Sequence, residues 1–167
     1  MTLLDHLSID QLLWLVPVFF TLHNLEEAPF MAGWSKRLPI QVHPTVTTRQ
    51  FTIAVIFLTI SGFLITYYGV GYLHNPTGYL LVLGIQMILF FNAFLPHIGT
   101  TIRFRMYSPG IVTAVLITLP FSIYLFQRAM REGVLSWSQF WILLAMSPFA
   151  MVLFAYLSLR VGSVFDS

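Results

Sequence analysis

The chain has 167 residues, of which 57% are hydrophobic and only 8% charged, and its mean hydropathy is +0.83; soluble domains carry about a quarter charged residues. A soluble fold of this size leaves too much surface in water to hide that much apolar material, so composition predicts an integral membrane protein of one domain, residues 1–167. The formal charge of +2 comes mostly from loop arginines and gives no sign of nucleic acid. The absence of cysteine excludes disulfides, thiolate nucleophiles, iron–sulfur clusters and sulfur ligands to zinc.

A helix needs about 20 mostly apolar residues to cross a hydrocarbon core about 30 Å thick. Five stretches meet this, at residues 10–30, 51–70, 78–98, 109–127 and 137–159, so the expected fold is an all-α, polytopic bundle of five transmembrane helices. The N-terminal residues 1–11 include Asp5 and Asp10 but no lysine or arginine. That is the wrong flank for a cleaved signal peptide, so this span is expected to stay in the mature protein. The first span opens on Ser8-Ile9-Asp10-Gln11, a Ser-x-x-Gln capping box that satisfies free backbone donors. The fourth opens on Ser108-Pro109-Gly110, where proline in the first helical turn costs nothing. Pro17, Pro120 and Pro148 lie inside spans and predict local kinks. The connection 32–48, with Trp34, Lys36, Arg37, Pro39, His43 and Pro44, reads as an interfacial loop or a short surface helix.

Cation placement gives an orientation. One side receives Lys36, Arg37, Arg49, Arg103, Arg105 and Arg160, the other only Arg128 and Arg131. The positive-inside rule then places the N-terminus outside and the C-terminus in the cytoplasm. Spans one and three descend in parallel. Leu12 to Glu26 and Gly78 to Asn92 each cover about 21 Å, and Thr113 lies about 6 Å from the cytoplasmic start of span four. These polar groups share one layer in the cytoplasmic third of the bilayer. His97 lies about 7 Å deeper, where Pro96 weakens backbone bonding enough to let it turn inward.

The stretch that does not fit a lipid-facing helix is His23-Asn24-Leu25-Glu26-Glu27. Spacings of three and four place His23, Glu26 and Glu27 toward one helical face. A charged group at mid-helix costs roughly 2.5–3.5 kcal/mol on insertion scales, so two adjacent glutamates require a partner: a metal, a proton, a histidinium or an arginine. Taken singly, Glu27 is also explained by contact with head groups, Asn92 by a bond between helices, and Thr113 by a bond to its own backbone. Arg103 and Arg105 read as topology and phosphate anchors, with an anionic substrate over the site as their second use.

His23-Asn24-Leu25-Glu26-Glu27 resembles the H-x-x-E-E signature of the bacterial HXXEE family of small membrane proteins. Further similarity lies in Asn92-Ala93-Phe94-Leu95-Pro96-His97 and in Tyr107-Ser108-Pro109-Gly110-Ile111-Val112-Thr113-Ala114. The resemblance implies a multi-helix membrane protein and brings no established activity with it.

Three chemistries suit the constellation. His23, Glu26 or Glu27, and His97 make a two-histidine, one-carboxylate set suited to iron, zinc or manganese with positions left for water or substrate. Such a metal acts as a Lewis acid or lowers the pKa of a water to about 7, with the spare glutamate as general base, in hydrolysis or oxidation of a lipophilic substrate. Without a metal, Glu26, Glu27, His23 and Asn92 supply acid–base chemistry, analogous at the level of fold alone to five-helix membrane sterol isomerases. The third reading is a non-enzymatic protein that binds or carries an ion, a proton or a small molecule. An enzyme on a lipophilic substrate is the leading reading, with the bilayer and that small molecule as partners.

Overall fold

The computed structural model describes residues 3–39 and 44–166, and His43 lies outside them. Among the described residues the chain is all-α, with six helices and a short 3-10 turn, Leu3–His6. The helices are α1 Ile9–Glu27, α2 Met31–Arg37, α3 Thr48–Leu73, α4 Pro76–Phe104, α5 Ile111–Arg131 and α6 Trp137–Val164.

Helix starts reflect local chemistry. Ser8 and Gln11 form the expected reciprocal capping box, and Ser136 and Gln139 form a second at α6. Asn75 caps α4, with Pro76 in the first turn. Three segments depart from α geometry: Tyr67–Leu73 at the end of α3, Ala93–Gly99 in α4 and Ala114–Thr118 in α5 are wound as π-helix. The latter two adjoin prolines, Pro96 and Pro120, which cannot donate the bond an α-turn requires. A π-turn widens the helix and is common where a side chain must be re-aimed at a functional site.

Four helices, α3 to α6, are long and apolar enough to cross a membrane. The expected first span is not among these four. Its helix, α1, has only 19 residues and carries Asp10 near its start and His23, Asn24, Glu26 and Glu27 near its end. α1 nevertheless runs alongside the others from end to end. Near its start, Asp10 lies 3.4 Å from His74 in the turn between α3 and α4, and Asp5 accepts from Tyr124 near the end of α5. At its other end Glu26 meets the start of α5. The connection after α1 folds as α2, whose Trp34 and Met31 are buried against Val46, Phe51 and Val55.

One core holds Leu12, Leu13 and Val16 of α1, Val82, Leu83 and Met87 of α4, and Leu125 and Phe126 of α5. A polar bridge crosses it: Gln86 donates to Ser122 at 2.6 Å, and Ser122 donates to the Thr118 carbonyl at 2.6 Å. The turn between α3 and α4 closes through Gly69 and Gly78, whose backbones approach so closely that a Cβ on either would strike the other's carbonyl. Helix α6 packs on α3 and α4 and leaves Trp141, Phe149, Val152 and other large apolar groups exposed.

Candidate functional site

The polar residues meet where the end of α1, the π-turn of α4 and the start of α5 converge. His23, Glu27 and His97 are all buried, and one ligand atom from each lies within 4.8 Å of the others. His97 Nε2 is 3.3 Å from Glu27 Oε1, and His23 Nε2 is 3.7 Å from the same oxygen. The two imidazoles meet edge to face, with centroids 4.7 Å apart. Asn92, one turn before His97, places Nδ2 3.2 Å from His23 Nε2 and 2.9 Å from His97 Nε2.

The outer ring nitrogens are held from the side of α5. His23 Nδ1 lies 2.9 Å from Thr113 Oγ1, and that hydroxyl is also 2.6 Å from Glu26 Oε2. A carboxylate only accepts, so the hydroxyl hydrogen goes to Glu26 and His23 Nδ1 must donate to Thr113. This fixes the tautomer that leaves the His23 Nε2 lone pair facing inward. His97 Nδ1 has Ser108 Oγ at 3.4 Å as its outer partner. Metal-binding histidines are oriented in this way, by a hydrogen bond at the nitrogen that does not face the ion.

The adjacent glutamates have different surroundings. Glu27 is buried and faces the two imidazoles, so contact with lipid head groups does not describe it. Glu26 is turned about 100° away, as successive helical residues must be. Its carboxylate accepts from Tyr107 Oη at 2.5 Å, Val112 N at 3.1 Å, Thr113 N at 2.7 Å and Thr113 Oγ1 at 2.6 Å. It thereby caps the free amides at the start of α5, where the preceding Gly110 has no side chain to do so. Of the two carboxylates expected as metal ligands, the structure places Glu27 with the histidines and Glu26 in this cap. Tyr107 lies in the loop before α5, and its hydroxyl pKa is pushed up to about 12, first by desolvation and then by the Glu26 carboxylate. At neutral pH it is a donor.

Asn24 seats this end of α1 on α3 by donating to Thr59 Oγ1 at 2.8 Å. Gly110, with φ of +86°, closes the site from α5. A Cβ there would lie 2.7 Å from His23 Cε1, 2.9 Å from Glu27 Cγ and 2.9 Å from His97 Cε1. Thr113 Oγ1 also lies 3.2 Å from the Gly110 carbonyl of its own backbone, but its hydrogen goes to the closer Glu26 carboxylate and it accepts from His23. Tyr107, Ser108 and Gly110 join the site although sequence reasoning does not select them. The signal is in the stretch Tyr107–Thr113, which carries a helix-start pattern with more polar groups than a start alone needs.

The buried group opens onto a cavity of about 830 Å³ between α1, α3, α4 and α6. His23, Glu27, Asn92 and His97 form part of its wall, and the rest is largely apolar, including Phe51, Leu58, Ile65, Ile85, Leu89 and Met151. Arg103 lines it beyond His97.

Fold and site together define a helical protein with membrane-type helices and a buried His/Glu/His group close enough to hold a metal ion. The chain belongs to the family described as "Protein of unknown function with HXXEE motif", whose profile matches residues 14–125. It is 28% identical over 122 residues to the "Uncharacterized protein YrkK" of Bacillus subtilis (strain 168), covering 71% of this chain and 75% of that protein. No solved structure matches.

Proposed function

We propose that the chain is a membrane-embedded enzyme that acts on a lipophilic substrate, with His23, Glu27 and His97 holding a divalent iron, zinc or manganese ion. One observation carries the reading. Two imidazole Nε2 atoms and a carboxylate oxygen converge in a buried site while their outer nitrogens are tied off. Acceptors that converge away from water need a partner, and a cation serves all three at once. Two histidines and one carboxylate suit iron, zinc or manganese. A cation held by His23, Glu27 and His97 would supply Lewis-acid chemistry to a substrate oxygen. Glu26 and Thr113 hold His23 in its tautomer, Ser108 steadies His97, and Gly110 keeps the floor clear. Asn92, rotated by half a turn about its Cβ–Cγ bond, would offer its oxygen to the ion.

A second reading has its own support. With its amide as placed, Asn92 donates toward both Nε2 atoms, which satisfies their lone pairs with no ion, and a proton on Glu27 completes the set. That arrangement supports acid–base chemistry, with Glu27 as acid and His23 as base.

In the proposed topology α1 is a fifth crossing, its polar end shielded by α4 and α5, and residues 1–167 form one transmembrane domain. The N-terminus is outside and the C-terminus is in the cytoplasm, which places the site in the cytoplasmic third of a bacterial inner membrane.

The experiment is lipid turnover. Purified protein reconstituted with iron, zinc or manganese is incubated with a total membrane lipid extract, and products are read by mass spectrometry. Wild type is expected to consume one lipophilic species and Glu27→Gln to leave it intact. Identical lipid profiles for both, with each metal and with none, would remove the enzymatic reading.

A further inference from the structure

We infer that the cavity takes a single-chain anionic amphiphile, with its carboxylate or phosphate head on Arg103 and its apolar chain in the cleft between α3, α4 and α6. This deepens the proposed function by naming the substrate class of that same site. Arg103 is an exposed side chain on the cavity wall, and among the described residues no acidic group forms an ion pair with it. Its guanidinium lies beside the Phe104 ring, 5.7 Å from the centroid, which leaves its hydrogen-bonding edge open. A guanidinium fork matches a carboxylate or a phosphate in two parallel hydrogen bonds. With no cation bound, the cavity's other polar wall disfavours an anion, because Glu27 and two imidazole lone pairs face inward there.

Length also favours a chain. Along α3 the cavity runs from Phe51 to Ile65, which at helical rise is about 21 Å. That exceeds half of a hydrocarbon core about 30 Å thick, more than a compact solute would use. His97 precedes Arg103 by six residues, a rise of about 9 Å on the same helix. A head on Arg103 therefore brings a position along the chain, rather than the head itself, past Glu27 and His97.

The test is equilibrium binding to purified protein in mild detergent, with palmitate, 1-palmitoyl-lysophosphatidate, methyl palmitate and inorganic phosphate as probes. Palmitate or the lysophosphatidate is expected to bind wild type at least tenfold more tightly than Arg103→Gln; the tighter of the two identifies the head group. Arg103→Lys should keep part of the affinity, Arg105→Gln should keep all of it, and methyl palmitate should not distinguish Arg103→Gln from wild type. Inorganic phosphate at millimolar concentration should leave the amphiphile bound. Equal affinity of wild type and Arg103→Gln for both anionic probes overturns the inference, as does displacement of either by inorganic phosphate alone. Metal content measured on the same samples separates this inference from the metal-dependent reading: amphiphile binding that needs Arg103 in a protein that neither carries nor takes up iron, zinc or manganese keeps the former and removes the latter.

Discussion

Glu26 and Glu27 are neighbours in sequence and opposites in environment. Glu27 has two imidazoles for company, whereas Glu26 has four hydrogen-bond donors from the start of α5 and the loop before it. Their substitutions should therefore differ in kind. Glu27→Gln keeps the volume but removes the charge that balances a cation, and is expected to lower metal retention at least tenfold with little change in thermal unfolding. Glu26→Ala leaves the three ligand atoms in place but uncaps α5, at a cost of about 1–2 kcal/mol. Thermal unfolding in detergent reads that loss, and equal losses for the two variants would contradict the division of roles. Gly110→Ala adds one methyl group where three site atoms lie within 3 Å, on a backbone with φ of +86°. It should destabilise the protein and abolish metal retention together, since both strain and collision act there.

At the scale of elements, the π-turns of α4 and α5 set the geometry of the site. In α4 the wide turn around Pro96 carries His97 back toward α1, and in α5 the turn just after Thr113 ends just before Pro120. Proline inside a helix costs about 3 kcal/mol, a local instability that the site accepts. Pro96→Ala should let α4 wind as regular α-helix and rotate the residues beyond position 96 by about 100°. The expected result is a higher melting temperature with a lower metal content; a gain in both would show that the turn does not aim His97. Helix identity and most helix starts were legible in the sequence, because apolar runs of spanning length and the Ser8-x-x-Gln11 box are local signals. That Glu26, Asn92 and Thr113 share one layer was legible by counting rise along the spans, and His97, counted about 7 Å deeper, joins it through the turn around Pro96. Which glutamate faces the histidines was not, because that depends on the rotation of α1 about its own axis, set by packing of Leu12, Leu13 and Val16 and by the Asn24–Thr59 bond. Ser108 and Tyr107 stayed hidden because they reach the site from a loop, whose path no periodicity records. The cavity had no sequence signal either, since its walls on α3 and α6 are built from the same apolar residues that face lipid.

Across the whole molecule, the bundle has two unlike ends. Thr47 bonds Asp166 at one end, which also holds Lys36, Arg37, Arg103, Arg105 and Arg160; the other holds the Asp10–His74 pair and the turn from α5 to α6. The native chain has no cysteine, so single-cysteine variants report topology without background. Ser8→Cys and Ser163→Cys are expected to react with an impermeant maleimide from opposite sides of sealed vesicles. Labelling of both from one side would remove α1 as a fifth crossing.

On the proposed reading, three inward-facing acceptors buried in the bundle share a bound cation. Elemental analysis of protein purified in mild detergent without chelators tests it most directly. Wild type is predicted to carry close to one equivalent of iron, zinc or manganese, and His97→Ala of matched helicity less than a tenth of that. Wild type that carries no such metal, and takes up none of the three on addition, would contradict it.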